Sequence, residues 1–270
     1  MTDDFIIMKK INQLKAADVK KLKFIFTDID DTLTNDGKLL PEAYDVLWQL
    51  SRSGYHVVPI TGRPAGWCEM IARQWPVDGI VGENGAFYFR YDEVKKTMKR
   101  NFFFDEKTRT ANHKKLHQIR KDILKSVPLA QVAGDQFSRL FDLAIDFAED
   151  MECLPPKDIQ KIVQLFESQG AVAKVSSIHV NGWFGDYDKL TMTLKFLKEE
   201  FGLNSDQAKK QSCFFGDSPN DEPMFAFFPL SFGVSNLVEF QDQLKSLPTF
   251  ICTKKGGLGF TEASKLILSF

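Results

Sequence analysis

The most constraining feature of the sequence is a strand-like segment that runs directly into three carboxylates. The segment FIFT, residues 24–27, consists of apolar and β-branched residues that are typical of a buried strand. Asp28, Asp30 and Asp31 follow it within four positions. Carboxylates that are buried together repel each other unless other charges offset the repulsion. The fold must therefore bring compensating positive charge to the end of this strand.

The segments after this strand alternate between helical and strand-like patterns. A helix is predicted from Pro41, and Gly54 ends it, in accord with the preference for proline at helix starts and glycine after helix ends. A second buried strand is predicted over 55–62, a helix over 66–75 and a short third strand over 78–84. Strands and helices that alternate at this spacing predict a parallel α/β sheet with right-handed crossovers.

The middle of the chain has a different character. A hairpin or meander is predicted over 85–104, followed by a helix over 108–127, a strand over 140–149, a helix over 155–170 and a strand pair over 171–183. This grouping predicts an α+β insert. From Asp188 the parallel pattern returns, with a helix from 189, strands over 211–217 and 230–236, and a final strand and loop over 248–259. We therefore predict two domains: a core formed by 1–86 with 186–270, and an insert formed by 87–185.

The first twenty residues and the overall composition add further expectations. Ile11, Leu14, Val19 and Leu22 recur at about helical spacing and predict a short amphipathic helix before the first strand. The formal net charge of −1 gives no support for a nucleic-acid or membrane partner, since both favour a basic excess. The four cysteines are widely separated, so neither a zinc site nor a disulfide framework is expected. No signal peptide or membrane span is recognisable, and we expect a soluble cytoplasmic protein, either a monomer or a homodimer.

Four polar clusters fall at the ends of predicted strands: DIDDT from Asp28, TGR from Thr61, GENG from Gly82 and GDSPND from Gly216. Ligands bind at the carboxyl ends of the strands in an open parallel sheet, so these clusters are expected on one rim. Asp28, Asp30, Asp217 and Asp221 would then lie close together. Oxygen ligands of this kind, with room for water and phosphate, indicate Mg²⁺. A bound magnesium ion and a nearby lysine would allow the carboxylates to stay ionised.

These motifs carry a family resemblance. DIDDT, TGR, Lys189 and GDSPND, in this order and spacing, resemble the haloacid dehalogenase-like (HAD) phosphohydrolase superfamily. The position of the insert is similar to that in its Cof-type, sugar-phosphatase branch (subclass IIB), and the resemblance extends from Lys23 to the C-terminus. It implies a Rossmann-like α/β core domain with an inserted α+β cap domain of the C2 type.

The resemblance also implies catalytic roles. Asp28 matches the nucleophile that forms an aspartyl-phosphate, and Asp30 matches the general acid and base. Lys189 matches the lysine that neutralises Asp28 and the phosphoryl group. Thr61 and Gly62 match the pair that binds the phosphate oxygens through a hydroxyl and an amide.

The metal ligands implied by the resemblance come from the same motifs. Direct ligands would be Asp28, Asp217, the backbone carbonyl of Asp30, and Asp221, with Ser218 and Asn220 supporting the metal shell. Two interpretations of Asp221 stay open, because this carboxylate can also serve only to brace its loop. For Asp31 and Asp36, a role in capping the loop is favoured by the preference of aspartate for turns.

Substrate contacts are expected from residues around the two crossings between core and cap. Ser177, His179 and Asn181 alternate along one predicted strand, whose polar face lines the site or faces solvent. For Arg139, a grip on a second anionic group is one reading, and an exposed loop arginine is the favoured one. The candidate substrate-binding residues are Arg63, Glu83, Asn84, Gly85, His179 and Asn181.

Three functions are compatible with these motifs. The first is a Mg²⁺-dependent phosphatase of a small phosphorylated metabolite, expected to be a sugar phosphate. The second is a phosphomannomutase-like phosphotransferase that uses the same aspartyl-phosphate. The third is a non-catalytic, phosphate-responsive binding module, which the presence of Asp28, Asp30, Lys189 and Asp217 disfavours.

Overall fold

The computed structural model describes residues 8–176 and 178–270, and its secondary structure follows most of the predicted pattern. The helices are α1 Ala16–Val19, α2 Pro41–Arg52, α3 Ala65–Gln74, α4 Glu106–Ser126, α5 Pro156–Ser168, α6 Lys189–Phe201, α7 Ser205–Gln211, α8 Glu222–Phe227 and α9 Gly256–Leu268. The strands are β1 Lys9–Lys10, β2 Phe24–Thr27, β3 Thr34–Asn35, β4 Lys38–Leu39, β5 His56–Pro59, β6 Ile80–Gly82, β7 Phe87–Asp92, β8 Thr97–Phe102, β9 Gln131–Val132, β10 Leu143–Asp146, β11 Val172–Val175, β12 His179–Trp183, β13 Ser212–Gly216, β14 Ser231–Gly233 and β15 Phe250–Ile251.

A parallel six-stranded sheet lies at the centre of the molecule. Its strand order is β1-β15-β14-β13-β2-β5, and every neighbouring pair is parallel. A parallel bridge between Ile60 and Val81 joins β6 to the edge next to β5. Strand β2 is buried on both faces, so Ile25 packs into one hydrophobic core and Phe26 into the other. The predicted α/β class with a parallel-sheet core is confirmed.

Three segments differ from the sequence-based prediction. The N-terminal helix is wrong in extent: β1, a 3-10 turn at Ile11–Gln13 and the four-residue α1 replace it, and residues 1–7 lie outside the described part of the chain. Helix α7 was not predicted. The segment expected to be a final loop continues into α9, where Gly256 adopts a positive φ of 51° and lies against the Thr34 carbonyl. Within the described residues, no helix has the length and apolar character needed to cross a membrane.

A second, antiparallel sheet lies in the middle of the chain. Its order is β11-β12-β10-β9, and α4 and α5 supply the apolar side chains that cover it, including Ile119 and Phe166. The β7–β8 hairpin instead pairs with β6, and Tyr88 donates hydrogen bonds of 2.7 Å to Glu199 and Glu200 on α6. The hairpin therefore packs against the parallel-sheet side of the molecule. The division of the chain at residues 87 and 185 stays a prediction.

Candidate active site

Three buried carboxylates and one lysine meet at the carboxyl ends of β2 and β13. Asp28 directly follows β2 and is 5% exposed, and Lys189 begins α6 and is 4% exposed. The Lys189 Nζ lies 3.1 Å from Asp28 Oδ1 and 2.7 Å from Asp221 Oδ1. Ligand oxygens of Asp28, Asp217 and Asp221 lie within 4.8 Å of one another, close enough to share one cation. The compensating charge that the sequence requires is thus present in part as Lys189.

The loop after β13 fixes two of these carboxylates. Asp217 accepts a 3.0 Å hydrogen bond from the Thr32 hydroxyl and a 3.3 Å one from the Asn236 amide. Asp221 Oδ1 accepts a hydrogen bond from Lys189 Nζ. Asp221 Oδ2 accepts a 3.1 Å hydrogen bond from the Asp217 backbone N–H. These contacts show that Asp221 braces its loop, while its oxygens still lie within reach of the cation position shared with Asp28 and Asp217. A side chain at Gly216 would collide with the Asp221 carboxylate, which explains the glycine.

Two smaller residues complete this loop. The Ser218 hydroxyl donates a 2.7 Å hydrogen bond to Asn220 Oδ1, and both residues line the cavity above Asp28 and Asp217. Their role in a supporting metal shell stays a prediction.

Burial and mutual repulsion leave the negative charge of the cluster only partly offset. Burial raises the pKa of Asp28 to about 7, and the opposing effect of Lys189 does not cancel this. Burial and the neighbouring Asp221 and Asp28 raise the pKa of Asp217 well above its ordinary value. Burial lowers the pKa of Lys189, but Asp221 and Asp28 outweigh burial and raise it. A set of buried carboxylate oxygens with one lysine therefore fits a divalent cation that prefers oxygen ligands.

We expect Mg²⁺ to stabilise the protein, and to do so more strongly as the pH rises. Without the cation, Asp28 binds a proton more tightly in the folded than in the unfolded state. This contribution to stability is complete below the unfolded pKa of 3.8 and is lost as the pH rises through about 7. Saturation at about 100 times Kd would add ~2.7 kcal/mol. Thermal unfolding between about pH 5 and pH 8, with Mg²⁺ or with EDTA, measures both effects.

The variant Asp217→Asn tests whether this carboxylate belongs to the cation site. It removes one carboxylate and should reduce the Mg²⁺-dependent increase in melting temperature. An equal increase for the wild type and this variant would contradict a cation site at Asp217.

Asp30 lies outside the carboxylate cluster and contacts Arg63 instead. Arg63 donates from Nη2 and Nε to Asp30 at 2.8 and 3.0 Å, and from Nη1 to Glu149 at 2.7 Å. Glu149 in turn pairs with His179 Nε2 at 2.9 Å. The contact with His179, together with Arg63, lowers the pKa of Glu149 to about 2. Asp30, Arg63, Glu149 and His179 thus form a chain of polar contacts that joins the parallel-sheet side to the antiparallel sheet.

The segment after β5 contains the predicted phosphate-binding pair. Thr61 is fully buried, and its hydroxyl accepts a 3.0 Å hydrogen bond from the Arg63 backbone N–H. A hydroxyl that accepts keeps its own hydrogen for donation. Gly62 lines the cavity, and a side chain there would crowd Asn84. Among residues 8–176 and 178–270, no hydrogen-bond partner is found for the buried Asn84 Nδ2.

Glu83 and Gly85 differ from their predicted role as substrate contacts. Glu83 is fully buried and accepts hydrogen bonds from the backbone N–H groups of Ala65, Leu140 and Phe141, at 3.1, 2.9 and 2.6 Å. Gly85 has a φ of 105°, and a side chain would overlap the Asp188 carbonyl. Neither lines the cavity described below. Glu83 joins the insert to α3, and Gly85 permits close packing against the start of α6.

A cavity lies between Asp28 and the antiparallel sheet. Its volume of about 20 Å³ suffices for a water molecule. A wider chamber of about 290 Å³ adjoins it beyond Arg63 and Glu149. The lining of the small cavity consists of polar residues and one isoleucine: Asp28, Asp30, Gly62, Arg63, Arg139, Ser176, Ile178, His179, Asn181, Asp217, Ser218 and Asn220.

The structure shows the environment of the insert residues whose roles the sequence left open. His179 and Asn181 are each 3% exposed and face the cavity, whereas Ser177 lies outside the described residues. The expectation that Arg139 is an exposed loop residue is wrong. Arg139 is buried, pairs with Asp142, and donates a 2.9 Å hydrogen bond to the Gly62 carbonyl.

Sequence reasoning missed four residues that shape the site. Thr32 and Asn236 bind Asp217, Glu149 joins Arg63 to His179, and Asp142 pairs with Arg139. Thr32 belongs to the DIDDT motif, so its position next to the aspartates was a usable signal. For the other three, the sequence offers no local pattern that distinguishes them from surface residues.

Comparisons with known proteins agree with this arrangement. The family model of haloacid dehalogenase-like hydrolases matches residues 25–131, whereas no curated protein matches the chain. A solved structure from Thermoplasma acidophilum has a TM-score of 0.70 at 20% identity, covering 92% of this chain and 99% of its own. A haloacid dehalogenase-like hydrolase from Bacteroides thetaiotaomicron has a TM-score of 0.64 at 16% identity, covering 92% and 100%.

A third similar structure is the sucrose-phosphatase from Synechocystis sp. PCC6803 in complex with sucrose and phosphate. Its TM-score is 0.63 at 14% identity, and the match covers 92% of this chain and 98% of that one. At these identities, the structural likeness shows a shared fold.

Proposed function

We propose that this chain is a haloacid dehalogenase-like hydrolase, since the model of that family matches residues 25–131, and that it acts as a Mg²⁺-dependent phosphatase of a small phosphorylated metabolite. The proposed substrate is a sugar phosphate, and the proposed intermediate is an aspartyl-phosphate on Asp28. The antiparallel sheet with α4 and α5 would act as a cap domain over the site.

The observation that carries this proposal is the environment of Asp28. Its carboxylate lies at the end of a buried strand, 3.1 Å from Lys189, and faces a cavity together with Asp217. A carboxylate nucleophile needs access to the substrate and compensation of the charge that develops on the phosphoryl group. The cavity and Lys189 supply these two requirements.

The chemistry follows from the residues present. Asp28 would attack phosphorus through a carboxylate oxygen, and the bond from phosphorus to the leaving oxygen would break. Asp30 would give its proton to that oxygen and then take one from the water that hydrolyses the aspartyl-phosphate. When bound, Mg²⁺ would supply positive charge to the phosphoryl oxygens, with Asp28, Asp217 and the Asp30 carbonyl as its ligands.

Arg63 imposes a condition on this cycle. Its Nε and Nη2 together hold both oxygens of the Asp30 carboxylate. A carboxyl group that gives its proton to the leaving oxygen must turn an oxygen toward the substrate. Substrate binding would therefore have to change the contact between Arg63 and Asp30.

The sugar-phosphate substrate is supported by the polar lining of the cavity and by the resemblance to a sucrose-phosphatase. Hydroxyl groups of a sugar both donate and accept hydrogen bonds. Asn181 and His179 offer matching groups on the insert side.

A screen of phosphorylated metabolites with Mg²⁺ tests the proposed function, and both free phosphate and isomerised product should be measured. We expect phosphate release equal to substrate consumption for at least one sugar phosphate, and none with EDTA. An isomerised hexose phosphate without phosphate release would indicate a phosphotransferase. Absence of both products across the screen would contradict an enzymatic role.

A further inference from the structure

Asp142 lies behind the insert side of the cavity, between two residues that line it. Its side chain is fully buried. Asp142 Oδ2 accepts a 2.8 Å hydrogen bond from Asn181 Nδ2, and its two oxygens lie 3.1 and 3.2 Å from Arg139 Nη1. A buried carboxylate is tolerated only where partners of this kind compensate it. Asp142 therefore fixes the orientation of both Arg139 and Asn181.

The position of Asp142 is itself fixed by the core. Its backbone N–H donates to the Glu83 carboxylate at 3.3 Å, next to the shorter bonds from Leu140 and Phe141. Arg139 also donates to the Gly62 carbonyl beside Asp28. The Asp142 carboxylate is therefore held in a defined position relative to the nucleophile, and a change of its charge reaches the cavity through Arg139 and Asn181.

The basic side chains that line the cavity are paired with carboxylates. Asp135 and Asp142 contact Arg139, with Asp135 at 3.1 Å from its Nε, and Glu149 contacts His179 and Arg63. The insert thus presents hydrogen-bond donors to the site without excess positive charge.

We propose that Asp142 is a specificity-determining residue that makes the site select a neutral polyhydroxyl leaving group over one that carries a second anionic group. This inference rests on the proposed phosphatase function. The hydrogen bonds among the described residues leave one Nδ2 hydrogen of Asn181 and one Nη2 hydrogen of Arg139 unused. Both hydrogens can be donated to a ligand. A hydroxyl can accept from either one, whereas a carboxylate or phosphate there would be repelled by Asp142 and Asp135, which lie just behind Asn181 and Arg139.

Two open-chain probes test this selectivity: sorbitol 6-phosphate and 6-phosphogluconate, which differ only in a hydroxymethyl or a carboxylate at carbon 1. For the wild type, we expect kcat/KM to favour sorbitol 6-phosphate by at least about tenfold. In Asp142→Asn, the ratio should fall by about tenfold or more, because kcat/KM decreases for sorbitol 6-phosphate and increases for 6-phosphogluconate. General structural damage does not produce an increase for either probe.

Acetyl phosphate, whose leaving group has no hydroxyl groups, reports on the phosphoryl site alone, so rates on the two probes are compared with the rate on acetyl phosphate for each variant. Asp122→Asn, a charge change on α4 away from the cavity, is the matched control and should keep the wild-type ratio. Asp135→Asn removes the other partner of Arg139 and should shift the ratio in the same direction. It tests the inference if Asp142→Asn does not fold.

Several results would overturn the inference. An unchanged ratio in both Asp142→Asn and Asp135→Asn would do so, as would a wild-type preference for 6-phosphogluconate. Hydrolysis of acetyl phosphate with no turnover of either probe would also overturn it, since the insert would then recognise no polyol. A wild type that is inactive on acetyl phosphate and on every metabolite screened would instead contradict the proposed function.

Discussion

Replacement of Asp28 by Asn is expected to lower phosphate release by at least about a thousandfold while the protein stays folded. An amide cannot act as the nucleophile, and the other carboxylates of the cluster are held by hydrogen bonds. Asp221 accepts from Lys189 and the Asp217 backbone N–H, and Asp217 accepts from Thr32 and Asn236. Initial rates of phosphate release with saturating Mg²⁺ measure the effect. The enzyme should also lose the ability to form an acid-stable phosphoprotein during turnover.

The stability of Asp28→Asn separates this loss of activity from misfolding. Because burial raises the pKa of Asp28 to about 7, a neutral amide removes an unfavourable charge, and Lys189 keeps its contact with Asp221. In EDTA above about pH 7, the melting temperature should therefore equal or exceed that of the wild type. Asp31→Asn is the matched control, since asparagine tolerates the positive φ of 57° at this position, and it should retain most activity. Substantial turnover by Asp28→Asn would exclude Asp28 as the nucleophile.

The parallel sheet and the centre of the site were predictable because local sequence patterns determine them. The run FIFT had to be buried, and strand ends in a parallel sheet meet on one rim. These two constraints bring Asp28 and Asp217 together without any knowledge of tertiary contacts. Lys189 was predictable because a lysine at the start of a helix is unfavourable unless acidic groups surround it.

Residues at the junction of the predicted core and insert were less predictable because their roles depend on partners distant in sequence. Glu83 resembles a substrate ligand in the sequence GENG, yet its carboxylate binds backbone N–H groups of residues 140 and 141, which no local pattern reveals. Arg139 resembles an exposed loop arginine, yet Asp142 and the Gly62 carbonyl bury it. In both cases, tertiary hydrogen bonding decided the environment of a charge. The α9 helix was missed for a related reason, since its glycine-rich start is stabilised by close contact with the chain at Leu33 and Thr34.

Replacement of Lys189 by Met is expected to abolish activity and to destabilise the protein in the absence of Mg²⁺. Methionine has a similar length but leaves Asp28, Asp217 and Asp221 buried without a positive charge. Removal of one partner from a buried ion pair costs about 3–5 kcal/mol, and protonation of the remaining carboxylates offsets part of this. Urea unfolding in EDTA measures the loss, which should be larger at about pH 8 than at about pH 5, because the carboxylates must ionise as the pH rises.

Mg²⁺ distinguishes the structural role of Lys189 from its catalytic one. The cation should recover more stability in Lys189→Met than in the wild type, since it then offsets a larger unbalanced charge. Activity should not recover, because the positive charge beside Asp28 during phosphoryl transfer is still missing. Lys198→Met, on the exposed side of the same helix, is the matched control and should change neither property. Full activity of Lys189→Met with Mg²⁺ would show that the cation alone stabilises the transition state, and equal stability in EDTA would contradict the buried-charge account of the cluster.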